Sequence, residues 1–369
     1  MTASIVGAPA LAEEFVASQS KTVVETKKGS LVGALDDGIY SYLGVPYAHA
    51  DRFMPAEEVA PWQGIRPAVT YGENCFIPRM KEVAGDELFN PHRYLPMSEA
   101  CQFLNIWTPA IKEGKKRPVM VWIHGGGFTN GSGIELTSYD GHNLSKEGDV
   151  VVVTLNHRLN VLGFLDLSAY GEKYKRSGNA SATDLVAALQ WVQDNAEAFG
   201  GDPGNVTIFG QSGGGYKVRA LMGTPSAKGL FQKAIVQSGS RTDSVVDQAS
   251  SRKVAELTLA NLGLKAEEID KVADVIITIS LPQPTKPSRK QPPKASRTPA
   301  TRPFRIALAL SRTVSQAWVN FARNGKPSAE GLPDWPAYTT DNPATMVLDK
   351  ESRVAVDLDR KLLQTAGAL

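Results

Sequence analysis

The stretch that decides the fold runs Phe199-Gly-Gly-Asp-Pro-Gly-Asn-Val-Thr-Ile-Phe-Gly210-Gln-Ser212-Gly-Gly214. Val206 to Phe209 is a short apolar run of the kind that forms a buried strand. Gly210-x-Ser212-x-Gly214 follows it directly. Tyr216 to Met222, apolar and helix-capable, comes next. A serine flanked by glycines between a strand and a helix is the setting of a nucleophile elbow. So tight a turn holds the residue at Ser212 in strained backbone angles, and small residues at Gly210 and Gly214 let neighbouring backbone pass. The hydroxyl then stands at the C-terminal edge of a sheet and at the start of a helix. The competing reading is a plain strand-to-helix turn.

Working outward, Val119 to Ile123, Val150 to Leu155 and Ala234 to Val236 are further short runs rich in Val, Ile and Leu. Such runs predict buried strands of a mostly parallel sheet. Between the second run and Val206, the residues Leu185, Ala188, Leu189, Val192, Ala196 and Phe199 recur at three- and four-residue steps. That spacing predicts one helix over 183–199, with Thr183 as N-cap, Asp184 in the first turn and Gly200-Gly201 as the stop. Strand, helix and strand in this order predict an α/β fold built from crossovers.

The second chemical signal is His124-Gly125-Gly126-Gly127-Phe128, just after Val119 to Ile123. Consecutive glycines expose backbone N–H groups with no side chains in the way. Donors of that kind stabilise the oxyanion of a tetrahedral intermediate, worth about 3 kcal/mol each. Gly126, Gly127 and Gly213 are the expected donors; a flexible glycine turn is the alternative.

With these motifs in view, the chain resembles the type-B carboxylesterases, the α/β-hydrolase family of para-nitrobenzyl esterases and cholinesterases. Phe199 to Gly214 resembles the serine signature, Tyr42 to Ala48 the N-terminal "lGiPYA" segment, and Asn156 to Leu159 the "NYRL" segment. Glu99 to Trp107 resembles "EDCLyLNvw", with Ala100 and Gln102 departing from it. Gln211 stands where Glu is common. Trp318 to Trp335 resembles the C-terminal segment. The resemblance implies an α/β-hydrolase fold, incomplete on its C-terminal side. It also implies hydrolysis of a small-molecule carboxylic ester through an acyl group on Ser212, with no metal or cofactor. By the same resemblance Cys75 and Cys101 would form a disulfide, the alternative being two buried thiols.

In this fold the acid and the imidazole follow the serine in the chain. Here all five histidines, His49, His92, His124, His142 and His157, precede Ser212. His157, just after a predicted strand, is a weak candidate base, and it holds a position that the family usually fills with Tyr. Where the resemblance would put acid and imidazole, the chain has Pro282 to Arg305, with seven prolines, seven Lys or Arg, and no Asp or Glu. Two other readings therefore stay open. One is a truncated or frame-shifted relative that is catalytically impaired or dead. The other is a non-enzymatic pseudo-esterase scaffold.

The expected organisation is a disordered tail over 1–21, an α/β-hydrolase part over 22–274, a basic Pro-rich linker over 275–306, and a helix and strand remnant over 307–369. Forty basic residues face 38 acidic ones, so net charge gives no case for nucleic-acid binding. No apolar run is long enough to span a membrane. Two cysteines exclude a Cys-rich zinc site. Ala10-Leu11-Ala12 resembles a cleavage site but lacks a basic lead. A cytoplasmic protein is expected, with periplasmic or secreted export as the alternative.

Overall fold

The structure is a computed structural model. It describes residues 15–77, 87, 91–239, 246–274, 301–339, 341–349 and 351–357, with backbone alone at 301–307. The chain divides into two compact units, Met1–Ser280 and Leu281–Leu369.

The first unit opens with strands β1 (Val23–Thr26), β2 (Gly29–Val32), β3 (Ala34–Asp36), β4 (Ile39–Pro46) and β5 (Ile65–Pro67). Strands β6 (Phe103–Thr108) and β7 (Arg117–Ile123), helix α1 (His142–Gly148), strand β8 (Val151–Leu155) and helices α2 (Asn160–Phe164) and α3 (Ala180–Asn195) follow. Strand β9 (Gly201–Gln211), helix α4 (Gly213–Met222), strand β10 (Lys233–Gln237) and helix α5 (Gln248–Asn261) close the unit. Seven strands make the main sheet in the order β10-β9-β7-β8-β6-β4-β3.

All four predicted strands are present, as β7, β8, β9 and β10, and they form the parallel part of the sheet. Every residue of β7 and of β8 is buried, as expected of parallel strands covered on both faces. The rest of the sheet is antiparallel: β6 pairs with β8, β4 with β6, and β3 with β4. The sheet is thus mixed rather than mostly parallel. Strand β4 mixes buried and half-buried positions, as a partly covered antiparallel strand does. The core joins one face of the sheet to α3 and α4 through Val119, Val121, Ile123, Leu185, Leu189, Val192, Val218 and Leu221.

Three sequence expectations need correction. The predicted tail 1–21 is ordered from Val16, which exchanges two backbone hydrogen bonds with Leu35 at 2.9 and 2.7 Å; residues 1–14 lie outside the described residues. Helix α3 begins at Ala180, so Thr183 is no N-cap. Its hydroxyl donates to Ala180 O at 2.7 Å and accepts from Ala56 N at 2.9 Å. Gly200, at φ 70°, ends the helical stretch in the left-handed region. The predicted linker 275–306 is shortened too. Residues 275–300 lie outside the described residues, but a helix, α6 (Thr301–Asn324), starts before the expected end. Pro303 sits within its first turn, where its missing N–H costs no helical hydrogen bond.

In the second unit α6 is followed by an antiparallel hairpin, β11 (Ala344–Val347) and β12 (Arg353–Val356). The Trp318 and Trp335 rings lie 6.3 Å apart, and Asn320 Nδ2 donates to Ser328 O at 2.7 Å.

Cys75 and Cys101 are joined as a disulfide with a Cα–Cα distance of 5.0 Å across 26 residues. Closing a loop of that length contributes about 3 kcal/mol.

Candidate active site

Ser212 lies at the junction of β9 and α4 with φ 54° and ψ −121°. That combination is rare for a residue with a Cβ, and here the surroundings over-determine it. Ser212 N donates to Gln237 O at 2.8 Å, and Ser212 O accepts from Tyr216 N at 3.0 Å. The glycines around it each meet different backbone. A Cβ at Gly210 would come within 2.6 Å of Ile123 O, and one at Gly214 would overlap the same oxygen. A Cβ at Gly215 would lie 2.8 Å from Gln237 O. The turn therefore rests on the ends of β7 and β10.

Gly213 faces the glycine loop after β7. A Cβ there would be 2.6 Å from both Gly127 N and Gly127 Cα. Gly126 and Gly127 take φ values of 81° and 65°, which only glycine adopts cheaply. Among the described residues the backbone N–H groups of Gly126, Gly127 and Gly213 donate to no acceptor. Gly127 thus lies against Gly213 beside the strained serine, and unspent N–H donors of this kind can stabilise an oxyanion. The loop is tied down by Asn130 N to Gly126 O at 3.0 Å and Asn160 N to Phe128 O at 2.7 Å. Gln211 contributes its side chain here: its Oε1 lies 3.3 Å from where a Gly125 Cβ would be.

The histidines are placed elsewhere. His49 faces Asp51, His92 bonds Glu87, and His142 bonds Asp36 O. His124 and His157 are fully buried and stack at 4.8 Å on the buried side of the glycine loop. His124 Nδ1 donates to Gly125 O at 3.0 Å. His157 Nδ1 lies 3.1 Å from Arg158 O and 2.8 Å from Ser181 Oγ. No histidine hydrogen-bonds Ser212 among the described residues, and His157 has its nearest polar partners away from it. Burial first, and the nearby Lys217 charge second, hold both imidazoles well below their usual range. They are therefore neutral. Of the later carboxylates, Asp247 caps α5 by accepting from Ser250 N at 2.8 Å; Asp243 lies outside the described residues.

Sequence reasoning missed two residues. Asp184, expected to sit in the first turn of a helix, is fully buried and holds the equally buried Arg158. Lys217 is 3% exposed. Its signal was present: at helical spacing it shares a face with Gly213, Gly214 and Leu221, all buried. Burial pushes its ammonium down from 10.5 to about 7, against the opposing pull of Glu135. The unfolded chain thus holds one more proton than the folded one between about pH 7 and 10.5. Stability should rise with pH across that window, and denaturant titrations at several pH values should show the slope disappear in Lys217→Met.

A model of the carboxylesterase family matches residues 20–282. The chain belongs to the carboxylesterase family. The para-nitrobenzyl esterase of Bacillus subtilis (strain 168) is 42% identical over 258 residues, 69% of this chain and 50% of that protein. The phenmedipham hydrolase of Pseudarthrobacter oxydans is 42% identical over 223 residues, 59% of this chain and 43% of that protein. The chain spans about half the length of the curated relatives it matches. Among solved structures, an esterase from Clostridium hathewayi superposes with a TM-score of 0.82 at 33% identity, covering 96% of this chain and all of that one. The fold is accordingly that of the α/β-hydrolases, as the motifs implied. Among the described residues no helix is long and apolar enough to cross a membrane, and no three His, Cys, Asp or Glu side chains converge as metal ligands.

Proposed function

We propose that this carboxylesterase hydrolyses small-molecule carboxylic esters through an acyl group carried on Ser212, with the N–H groups of Gly126, Gly127 and Gly213 as the oxyanion hole. The observation that carries the reading is the backbone of Ser212, held at φ 54° with Gly127 packed against Gly213. Ser212 Oγ attacks the carbonyl carbon, and the carbonyl electron pair moves onto the oxygen that faces the N–H groups. The Oγ proton passes to water. The intermediate collapses with loss of the alcohol, and water then releases the acid. Phe128 and Phe164 meet edge to face at 5.1 Å, and Phe128 and Tyr216 lie 6.3 Å apart. This aromatic cluster begins at the glycine loop and at the first turn of α4, and suits an ester with an apolar portion.

No imidazole takes the Oγ proton in this arrangement. A serine with an oxyanion hole and no base still leaves measurable catalysis, about 10³-fold over water. The reading is therefore of a slow esterase rather than an inert scaffold. Incubation with a fluorophosphonate probe, digestion and peptide mass analysis test it. The label is expected on the peptide carrying Ser212; an unlabelled protein after prolonged exposure would favour the pseudo-esterase reading.

A further inference from the structure

One buried cation is left unused by the chemistry above. Lys217 follows the nucleophile by five residues, on the face of α4 turned into the protein. Its Nζ donates to His124 O at 3.4 Å and lies 5.8 Å from the centroid of the Phe128 ring. His124 and Phe128 are the residues on either side of Gly125–Gly127. One side chain from the nucleophile helix thus reaches both ends of the loop that supplies the oxyanion donors.

We propose that Lys217 is the positioning residue of the oxyanion loop, its ammonium gripping the loop at the His124 carbonyl and at the Phe128 ring together. The proposal deepens the reading of Ser212 as nucleophile, and its consequence for acylation rests on that reading. Gly126 and Gly127 have no side chains to fix them, so the loop is held through its backbone bonds and through contacts at its two ends. A protonated amine makes a charge-assisted hydrogen bond to the carbonyl and a cation–π contact with the ring. A neutral amine keeps only a weak version of the first. The groups around it suit a charge that comes and goes. His124 and His157 are neutral, and Glu135, half-buried and bonded to Tyr139, supplies the opposing negative charge. On its own helix Arg219 stacks against Tyr216. The ammonium loses its proton near pH 7, so the loop is tight below that pH and looser above it.

Two readouts on the whole chain test this. The first is hydrogen exchange at Asn130, whose N–H closes the loop onto Gly126 O, followed by mass analysis between about pH 6 and 9 and corrected for intrinsic exchange. Protection in the wild type is expected to fall about tenfold across that range, the size set by one charge-assisted hydrogen bond. Lys217→Met is expected to show the low value at every pH. The second is the rate of fluorophosphonate labelling. Lys217→Met should label about tenfold more slowly than wild type near pH 6 and equally near pH 9, with unchanged probe affinity. Wild-type protection that does not change with pH would overturn the proposal, and so would Lys217→Met behaving as wild type in both readouts. If Lys217→Met does not fold, the wild-type exchange titration decides alone. A wild type that takes no label defeats the reading of Ser212, while exchange still decides the role of Lys217.

Discussion

Ser212→Ala is expected to lose covalent acylation completely. The proposed oxyanion donors belong to the backbone of Gly126, Gly127 and Gly213, which the substitution leaves in place, and Ala at φ 54° is no more strained than Ser. Binding and the oxyanion hole therefore survive while the attacking oxygen is gone. The effect on p-nitrophenyl acetate turnover is more informative. When a complete triad loses its serine, kcat drops about 10⁶-fold. Here none of the five histidines hydrogen-bonds Ser212 among the described residues, so the wild type is expected to start from a lower rate. The drop in turnover should be far smaller than in a complete triad, since the roughly 10³-fold that the oxyanion hole supplies over water is kept. A full 10⁶-fold drop would show that a base acts on Ser212 from outside the described residues.

Asp184→Ala is expected to cost about 3–5 kcal/mol of stability. Arg158 Nε and Nη2 donate to the Asp184 carboxylate at 2.9 and 2.7 Å, and Arg158 N donates to Oδ2 at 2.9 Å. The remaining guanidinium protons go to the carbonyls of Asp51, Met54 and Ala180. Arg158 and Asp184 side chains are 2% and 0% exposed. Removing the carboxylate strands a buried guanidinium with no counter-charge and frees Arg158 N as well. The loss should also reach the site, because Arg158 follows His157, which stacks beneath the glycine loop on His124. Urea titration checks the magnitude. A loss below about 1 kcal/mol would mean that the pair is solvated rather than buried.

The parts of the molecule that were legible in its sequence are those where one local rule suffices. Continuous Val and Ile runs identify β7, β8 and the buried part of β9, because strands covered on both faces are mostly apolar; β10, expected to be buried, is half-buried along its length and shows only the short run Ala234 to Val236. The glycines around Ser212 were legible for a similar reason. A Cβ at Gly210, Gly213 or Gly214 meets backbone of β7 or of the loop after it, so the sequence has no freedom there. The antiparallel half of the sheet was not legible. Strands such as β4 carry Tyr40, Ser41 and Gly44 at half-buried positions, and that texture resembles loop as much as strand. Lys217 and the burial of Asp184 were missed because charged residues are usually solvated. Their burial depends on partners distant in the chain, His124 for one and Arg158 for the other. Helical spacing placed Lys217 on the inner face of α4, and a polar residue on an inner face was the one available warning.

The role of His157 shows a different limit. Its place after β8 put it at the correct edge of the sheet, yet the structure turns its ring into the protein, against His124 and Ser181. Edge position is a property of the strand; ring direction is set by packing that the sequence does not display.

Acylation of Ser212 itself separates a serine esterase from an inert scaffold. The direct measurement is a single-turnover reaction with p-nitrophenyl acetate, quenched in acid and mapped by peptide mass. An acetyl group is expected on the peptide carrying Ser212, formed in step with release of p-nitrophenol and absent from Ser212→Ala. Release of p-nitrophenol with no acetyl-enzyme, or with the acetyl group on a lysine and equally present in Ser212→Ala, would contradict it.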